Sequence, residues 1–161
     1  MRVVKILAGL VIGLVLVVLA AAGVARFLDG PLGMLPGGPL VSGERVETPV
    51  EDWSFAAETE TIEMQLMGDD TSRTTWIVVH DGRSYIPCSL GFPPGKKWYR
   101  RADRKGDARV RIDGRLYPVH LRRVRDEKLS SELKEAVGAK YGGGPPSGSE
   151  VWFFAIEPRP S

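Results

Sequence analysis

The sequence predicts a mainly β (α+β) domain, a small antiparallel barrel of about six strands with two helices, preceded by one transmembrane helix. Two copies of the pattern Asp-Gly-Arg-x-Tyr begin at Asp81 and Asp113, each between short runs that alternate apolar and polar residues. Asp-Gly tolerates the two consecutive positive φ angles of a tight antiparallel turn, so both copies predict hairpins. The third observation is a stretch of twenty uncharged, mostly aliphatic residues at 6–25.

Residues 1–26 are predicted to form a membrane anchor. At about 1.5 Å rise per residue, a helix over residues 6–25 crosses a hydrocarbon core of about 30 Å. A cleavable signal peptide is the alternative, although its apolar region is usually only about 7–15 residues long. Arg2 and Lys5 precede the span and Arg26 follows it. The positive-inside bias therefore predicts a single-pass protein of the inner (cytoplasmic) membrane, with its C-terminal domain on the periplasmic, extracytoplasmic side.

The rest of the chain divides into a tether, residues 27–44, and one folded domain, residues 45–158. The tether is rich in Gly and Pro and shows neither helical nor strand periodicity. The domain has the size of one compact unit. Because Cys88 is the chain's one cysteine, no internal disulfide can form, and packing must stabilise the domain.

In chain order, the first half of the domain predicts three strands and a short helix. Residues 61–67 alternate apolar and polar side chains, which indicates a half-buried strand. Residues 74–80 are rich in types that fit a pleated sheet, and the first Asp-Gly turn returns the chain as a strand over 83–88. After a loop with two prolines, residues 96–104 are predicted to form a helix.

The second half of the domain predicts another hairpin, a longer helix and a last strand. Residues 108–113 and 115–124 form the hairpin, and Pro118 places its strand at an edge or a bulge because proline donates no backbone hydrogen bond. Asp126 is predicted to cap a helix whose apolar residues recur every three or four positions and which ends at a run of Gly and Pro. Residues 150–156 form an aromatic-rich strand.

Charge is distributed unevenly along the domain. Residues 44–70 contain nine carboxylates and one arginine, whereas residues 96–125 contain twelve Lys or Arg and three Asp. The asymmetry is typical of a protein with an anionic ligand near the basic half, or of two halves that face each other in the fold or across a dimer. A solvated surface with internal ion pairs is the alternative.

The basic stretch contains a candidate anion site. Lys96 and Lys97 lie at the predicted start of a helix, where cations are unfavourable unless an anion binds there, so a phosphate site and a solvated charge run both stay open. Arg101 follows one turn later and can face the same ligand. Trp98 is interpreted as a core residue of this helix, with stacking on a planar ligand as the alternative.

Other reactive side chains give no catalytic or metal signature. His80 and His120 have no Cys, Asp or Glu at metal-ligand spacing, so no metal site is predicted. No nucleophile–base pair or Gly-rich phosphate loop is recognisable, so the catalytic residues stay unassigned and Cys88 is interpreted as a structural thiol. The anchor argues against nucleic acid as a partner, while a tethered domain keeps its basic face close to anionic lipid headgroups.

From about residue 61 to 158, the chain resembles the split-barrel proteins related to pyridoxamine-phosphate oxidase and to the deazaflavin-dependent nitroreductases. The likeness rests on stretches in the same order, namely residues 76–87, 97–100, 108–115, 140–142 and 151–154. It implies a six-stranded split barrel that forms a homodimer and binds FMN, a deazaflavin or occasionally haem at the dimer interface.

The resemblance also implies where a cofactor phosphate would lie. In flavin-binding members, basic and hydroxyl residues on the second strand and at the start of the first helix hold the phosphate. The residues at those places, together with two neighbours on the helix, are Arg73, Thr74, Thr75, Lys96, Lys97, Trp98 and Arg101. The deazaflavin enzymes carry Gly-Arg-x-Ser-Gly before that strand, where this chain has residues 68–73, whose two carboxylates would repel a phosphate.

Two functions follow as hypotheses. The first is a membrane-anchored split barrel that holds a phosphorylated, flavin-type cofactor against its basic helix and acts as an oxidoreductase. The second is a cofactor-free module of the same fold that serves as an interaction or scaffold domain at the cell envelope.

Overall fold

The computed structural model describes residues 2–143 and 150–159. Over these residues the protein is mainly β, with one curled, half-barrel sheet and three α-helices. Met1 of the predicted anchor and residues 144–149 of the predicted domain, which include part of the predicted Gly and Pro run, lie outside the described residues. The elements are α1 (Arg2–Ala25), β1 (Glu44–Arg45), β2 (Thr61–Leu66), β3 (Arg73–Trp76), β4 (Val78–His80), β5 (Arg83–Ser89), α2 (Trp98–Arg104), β6 (Asp107–Ile112), β7 (Arg115–Arg123), α3 (Glu127–Tyr141) and β8 (Val151–Pro158).

The sheet is antiparallel except at one short strand. Its order is β3-β2-β6-β7-β8-β5-β4, and β1 pairs in parallel with the first residues of β7. The two edge strands, β3 and β4, are consecutive in the chain and are separated by Ile77 alone. Since one residue joins its opposite edges, the sheet must curl on itself. The predicted mainly β, antiparallel fold is confirmed, but the predicted number of strands was wrong, because the sheet has eight.

The extra strands have identifiable causes. Residues 74–80, predicted as one strand, pair first with β2 and then with β5, and the change of partner falls at Ile77. The amide and carbonyl of Ile77 bond to the Tyr141 hydroxyl instead of to a strand, and Lys140 Nζ adds a bond to the same carbonyl. β1 is only two residues long, too short for an alternating pattern to reveal.

Both Asp-Gly corners form the predicted tight turns. Asp81 and Gly82 have φ angles of 49° and 70°, and Asp113 and Gly114 have φ angles of 48° and 75°. Two consecutive positive φ angles match the right-handed twist of the flanking strands. The turns join β4 to β5 and β6 to β7, so the hairpin predictions are confirmed.

Pro118 lies in a central strand, yet at a place where one side of that strand changes partner. On one side it stands opposite Arg109 of β6. On the other side, β1 pairs with β7 as far as Leu116 and β8 pairs from Val119 onward. Proline lacks a backbone donor, so the gap between these two partners is a position that tolerates it.

Two apolar clusters cover opposite faces of the sheet. α2 packs Trp98 and Ala102 into the larger cluster, which also takes Phe154 from β8. α3 packs Leu133 into the second cluster, which takes Phe153. Because successive strand residues point to opposite faces, Phe153 packs in the cluster with α3 and Phe154 packs in the cluster with α2. The helices therefore lie on different sides of the sheet.

The longer helix has the predicted ends. Asp126 Oδ1 accepts a hydrogen bond from the Leu129 amide at 2.9 Å, which satisfies one of the free donors at the helix start. Gly142 closes the helix in the left-handed conformation, with φ 69°. The cap prediction for α3 is confirmed.

Residues 27–44 are fixed to the sheet by polar contacts, although their composition predicts a tether. Gly37 and Ser72 exchange backbone hydrogen bonds of 3.1 Å. The Leu40 amide donates to Gln65 Oε1 at 3.0 Å, and Leu40 is fully buried. Asp29 lies 2.9 Å from Arg111 of β6. We call residues 26–41 the post-helix segment.

α1 has the length and composition of a membrane span. The mean hydropathy of the helix over Val4–Ala25 is 2.8, and its apolar window is not buried against the rest of the protein, whereas its last residue, Ala25, is buried. A helix that is apolar on all sides needs an apolar surrounding. α1 is therefore long and apolar enough to cross a bilayer.

Candidate functional site

Several of the predicted site residues come together at one end of the curled sheet. They lie on β3 and around α2. Together with an aspartate of the β2–β3 turn and the cysteine of β5, they form a group that we call the Arg73 cluster. Its members are Asp69, Arg73, Cys88, Lys96, Trp98 and Arg101.

Asp69 is the carboxylate of the cluster. The turn after β2 holds it, since its amide donates to the Leu66 carbonyl at 3.1 Å. Its Oδ2 lies 2.6 Å from Nη2 of Arg101 and 3.8 Å from Nη2 of Arg73, and its side chain is 11% exposed. Asp69 therefore bridges β3 and α2 with two ion pairs.

Arg73 begins β3 and its guanidinium lies over the Trp98 ring, 5.7 Å from the ring centroid. Burial lowers the pKa of Arg73, the nearby Arg101 charge lowers it further, and Asp69 opposes both effects. Its Nε is buried without a hydrogen-bond partner among the described residues. Arginine stays protonated in proteins, so the cluster contains a partly buried cation with spare donor capacity.

Lys96 lies beside Cys88 and donates to the Phe92 carbonyl. Burial lowers the pKa of the Lys96 ammonium, Cys88 opposes this shift, and Arg73 adds to it. Burial raises the pKa of the Cys88 thiol to about 11, although Lys96 and Arg73 lower it. At neutral pH the thiol is therefore protonated and is a poor nucleophile.

The cluster carries more positive than negative charge. The cluster contains three cations, Arg73, Lys96 and Arg101. Its carboxylate, Asp69, is shared by Arg73 and Arg101. Like charges in a partly buried site repel each other strongly because little water screens them. The arrangement can bind an anion, and it offers no base or nucleophile for a reaction.

Three predicted site residues lie elsewhere. Thr74 points to the opposite face of β3 from Arg73 and donates its hydroxyl to the Gly33 carbonyl at 2.6 Å. Thr75 stands opposite Ile62 in the β2–β3 ladder and is half-buried. Lys97 is exposed next to the cluster.

The helix start also differs from its prediction. α2 begins at Trp98, and Lys97 is its N-cap, with φ −134° and no side-chain cap. Lys96 therefore precedes the helix, and its ammonium turns back to the Phe92 carbonyl instead of following the helix axis. The prolines before α2 and Gly95, which has φ 81°, delay the first helical residue.

Trp98 belongs to the core. It is 6% exposed, and its ring lies 5.4 Å from that of Phe154 at a tilt of 44°. The Arg73 guanidinium also lies over this ring. This placement agrees with the core interpretation of Trp98 and leaves little ring surface for a planar ligand.

An open groove of about 840 Å³ lies on another part of the sheet. Two of its arginines are paired, Arg122 with Glu157 at 2.5 Å and Arg125 with Asp103 at 3.0 Å. Arg123 lies 3.2 Å from the Trp152 ring centroid. The groove is lined by apolar, basic and acidic residues, namely Val50, Glu51, Trp53, Arg83, Tyr85, Arg122, Arg123, Val124, Arg125, Asp126, Leu129, Ala155, Ile156, Glu157 and Pro158. Because the groove also contains carboxylates, it favours no one sign of ligand charge.

Both histidines lie close to carboxylates. His120 Nδ1 lies 2.8 Å from Asp107 Oδ1, and His80 Nε2 lies 3.4 Å from Glu132 Oε2 and 3.6 Å from Asp81 Oδ2. Within residues 2–143 and 150–159, no group of three or more His, Cys, Asp or Glu side chains could hold a metal ion. These histidines contact carboxylates at partly exposed positions.

Reasoning from sequence missed the role of Asp69 and the groove. The sequence showed Asp69 as a charge that repels phosphate, whereas in the fold it neutralises two arginines from different elements. Cys88 has no basic neighbour in the sequence, but the fold brings Lys96 and Arg73 close to it. The one available signal for the groove was the run of arginines at 122–125.

A search of curated proteins found no match to this chain. Residues 56–153 match a family described as "Uncharacterized protein conserved in bacteria (DUF2255)". The matched range contains the complete Arg73 cluster and leaves out α1 and the post-helix segment. Because this match covers more than half of the chain, the protein belongs to the DUF2255 family.

Proposed function

We propose that the protein is a membrane-anchored domain that binds a phosphate-bearing ligand of the FMN or deazaflavin type at the Arg73 cluster. Arg73, Lys96 and Arg101 hold the phosphate, and the bound cofactor supplies the redox chemistry of an oxidoreductase. α1 crosses the inner membrane once, and the half-barrel lies on the extracytoplasmic side. The protein works as a homodimer, as the resemblance to split-barrel proteins implies.

The observation that carries this proposal is the excess of positive charge in the cluster. Arg73 and Arg101 share one carboxylate, Asp69, and Lys96 lies close to Arg73 without adding a negative charge of its own. An anion between them would relieve the repulsion and would also offer oxygen acceptors to the guanidinium and ammonium donors. Arginine matches phosphate in shape, because its planar donors can bond two oxygens at once.

A second candidate function is a cofactor-free interaction or scaffold module at the envelope. The observation that favours it is that several predicted phosphate ligands already have protein partners. Arg101 forms an ion pair with Asp69. Lys96 donates a hydrogen bond to the Phe92 carbonyl, and the Thr74 hydroxyl donates one to the Gly33 carbonyl. A ligand must replace or add to these bonds.

Absorbance and ligand binding of the full chain in detergent separate the two functions. A flavin or deazaflavin band in the purified protein, or quenching of added FMN fluorescence, supports the first. Riboflavin is the matched probe because it lacks the phosphate. Double substitution of Lys96→Gln and Arg101→Gln should weaken FMN binding by at least about tenfold, since each charge-assisted hydrogen bond contributes about 1.5–3 kcal/mol, and should leave riboflavin binding unchanged.

The matched control is Lys134→Gln, which removes a cation from an exposed position of α3. It should leave FMN affinity unchanged. Equal losses of FMN and riboflavin affinity in the cluster variant would argue against phosphate recognition by Lys96 and Arg101. A colourless protein that binds neither FMN nor a deazaflavin would leave the interaction module as the function.

A further inference from the structure

The post-helix segment exposes large apolar side chains directly after α1. Phe27 is 91% exposed, Met34 87%, Leu32 51% and Leu28 42%. Leu32 and Leu35 exchange backbone hydrogen bonds of 3.1 Å and 3.0 Å, which places Met34 at the tip of a tight turn. Single exposed apolar residues are normal on protein surfaces, but a group of them within a few residues of one another indicates an interaction surface.

This apolar surface is held against the end of α1. The Gly38 amide donates to the carbonyl of Ala25, the last residue of α1, at 3.0 Å. A side chain at Gly37 would overlap the Gly30 carbonyl, so the segment folds back on itself with its backbones in close approach. The exposed side chains of the segment therefore keep a fixed position relative to the helix end.

The same segment is also held against the sheet. Gly37 bonds to Ser72 just before β3, and the Gly33 carbonyl accepts from the Thr74 hydroxyl at 2.6 Å. Asp29 pairs with Arg111 of β6. The β2–β3 edge of the half-barrel is thus connected rigidly to the place where α1 ends.

The segment can approach lipid without burying an unpaired carboxylate. Asp29 is the one acidic residue within residues 26–41. Its carboxylate accepts from the Val41 amide at 2.7 Å, from the Ser42 hydroxyl, and from Arg111 at 2.9 Å. A carboxylate that is paired and hydrogen-bonded in this way costs much less to place near an apolar phase than a free one.

We propose that the post-helix segment is a second membrane contact, which lies in the interfacial layer of the bilayer that α1 crosses and inserts Phe27 and Met34 beside it. The occupant of the apolar surface is lipid, because the surface begins at the residue where the apolar helix ends and keeps a fixed position relative to it. The inference rests on the proposed membrane span. It also orients the half-barrel, with the β2–β3 edge toward the bilayer and the hairpin tip at Asp81 farther along the chain, at most about 30 Å from Ser72 at about 3.3 Å rise per strand residue.

Spin-label depth measurements on the full chain in lipid nanodiscs test this orientation. Met34→Cys, in a Cys88→Ala background, carries a nitroxide at the proposed inserted tip. Its relaxation should be enhanced more by oxygen, which concentrates in lipid, than by a water-soluble nickel chelate. The matched control is Ser131→Cys, an exposed position on α3 next to Glu132, which contacts His80 beside the hairpin tip; there the nickel chelate should dominate. Phe27→Cys gives a second reporter with the same expectation as Met34→Cys.

Each outcome decides the inference. If labels at positions 27 and 34 respond to the nickel chelate as strongly as the label at 131, the segment faces water and the inference is wrong. If both labels are shielded from oxygen as well as nickel, a protein or a second copy of the chain covers the surface, and the inference is again wrong. The measurement needs no cofactor, so failure of FMN binding does not affect it, and a label that reports lipid depth says nothing about FMN.

Discussion

The hydroxyl of Tyr141 lies 2.6 Å from the carbonyl oxygen of Ile77 and 3.2 Å from its amide nitrogen. One side chain at the end of α3 thus meets both backbone groups of the residue that separates β3 from β4. The Glu60 carbonyl also lies 2.6 Å from this hydroxyl, so two acceptors share its one proton. Tyr141 therefore satisfies the backbone where the sheet changes partner, and its ring stacks on Trp76 with centroids 4.4 Å apart.

Tyr141→Phe should lower the free energy of unfolding by about 1–3 kcal/mol, because it leaves partly buried backbone groups without their partner while the ring can keep its stacking. Urea titration followed by circular dichroism measures the loss. Tyr99→Phe is the control, since no hydrogen bond to the Tyr99 hydroxyl is found within the described residues, and it should change stability by less than about 0.5 kcal/mol. Equal effects of the two substitutions would contradict the role of Tyr141.

Asp69→Asn should destabilise the protein and make its stability depend on anions. The substitution leaves Arg73 and Arg101 without the carboxylate that they share, at a cost of about 1–3 kcal/mol for a partly buried pair. Phosphate should then raise the melting temperature of the variant more than chloride does at equal ionic strength, because a bound anion stabilises the folded state. Glu127→Gln, an exposed change on α3, is the control. Identical responses to the two salts would show that no anion binds there.

Acid should weaken the contact between the post-helix segment and the sheet. Burial raises the pKa of Asp29, but hydrogen bonds from Ser42, Val41 and Arg111 outweigh it and lower the pKa from 3.8 to about 2. The group therefore contributes stability above its unfolded pKa, and this contribution is lost as pH falls from about 4 to about 2.

Asp29→Asn provides the comparison for this pH dependence. Denaturant titrations across the acid range should show a smaller loss of stability for the variant than for the wild-type chain between about pH 4 and pH 2. At neutral pH the variant should be the less stable of the two, since the ion pair with Arg111 is gone. Parallel pH curves for the two proteins would mean that Asp29 is not held in this way.

Cys88 should resist alkylation in the folded protein. Its pKa rises from 9.0 to about 11, chiefly through burial, so the thiolate fraction at pH 8 falls by about a hundredfold relative to a free thiol. Iodoacetamide labelling followed by mass spectrometry should therefore be at least about a hundredfold slower than in urea. A rate in the native protein close to that in urea would show that the thiol is exposed or ionised.

The two Asp-Gly corners allow strain and crowding to be separated. The Cβ of Gly114→Ala would lie in open space, but the backbone there has a φ of 75°. The substitution should therefore lower the free energy of unfolding by about 1–2 kcal/mol through the backbone conformation alone. Gly82→Ala has a similar φ, and its Cβ would also lie 3.1 Å from Asp52 Oδ1. Gly82→Ala should therefore be the more destabilising change in thermal unfolding. The reverse order would mean that Asp52 moves aside freely.

The local pattern was sufficient where a structure depends on a few neighbouring residues. Asp81-Gly82 and Asp113-Gly114 determine their turns because positive φ angles favour these residue types wherever they occur. Asp126 determines the start of α3 for the same reason, since its cap bond reaches only three residues along the chain. The start of α2 was misplaced because Gly95 and the prolines before it change the backbone over a few residues, which a composition pattern does not resolve.

The candidate site could be predicted in part. Arg73, Lys96 and Arg101 lie in one cluster, but the placement of Thr74 and Thr75 depends on which face of β3 meets α2 and which meets the post-helix segment. A strand alternates its faces, so a shift of one residue would exchange them, and the pattern of residues 74–80 does not fix that register.

By itself, the sequence determined an apolar helix long enough for a bilayer, two hairpins and a capped helix, because each depends on contacts within a few residues. Its alternating runs and hairpin turns also predicted an antiparallel, mainly β body. The tertiary structure alone decided that Ile77 divides a strand in two, that Asp69 joins Arg73 to Arg101, and that Asp29 holds the segment after α1 against Arg111. Those relationships join residues up to 82 positions apart, and their free energy exists only once the curled sheet has brought the partners together.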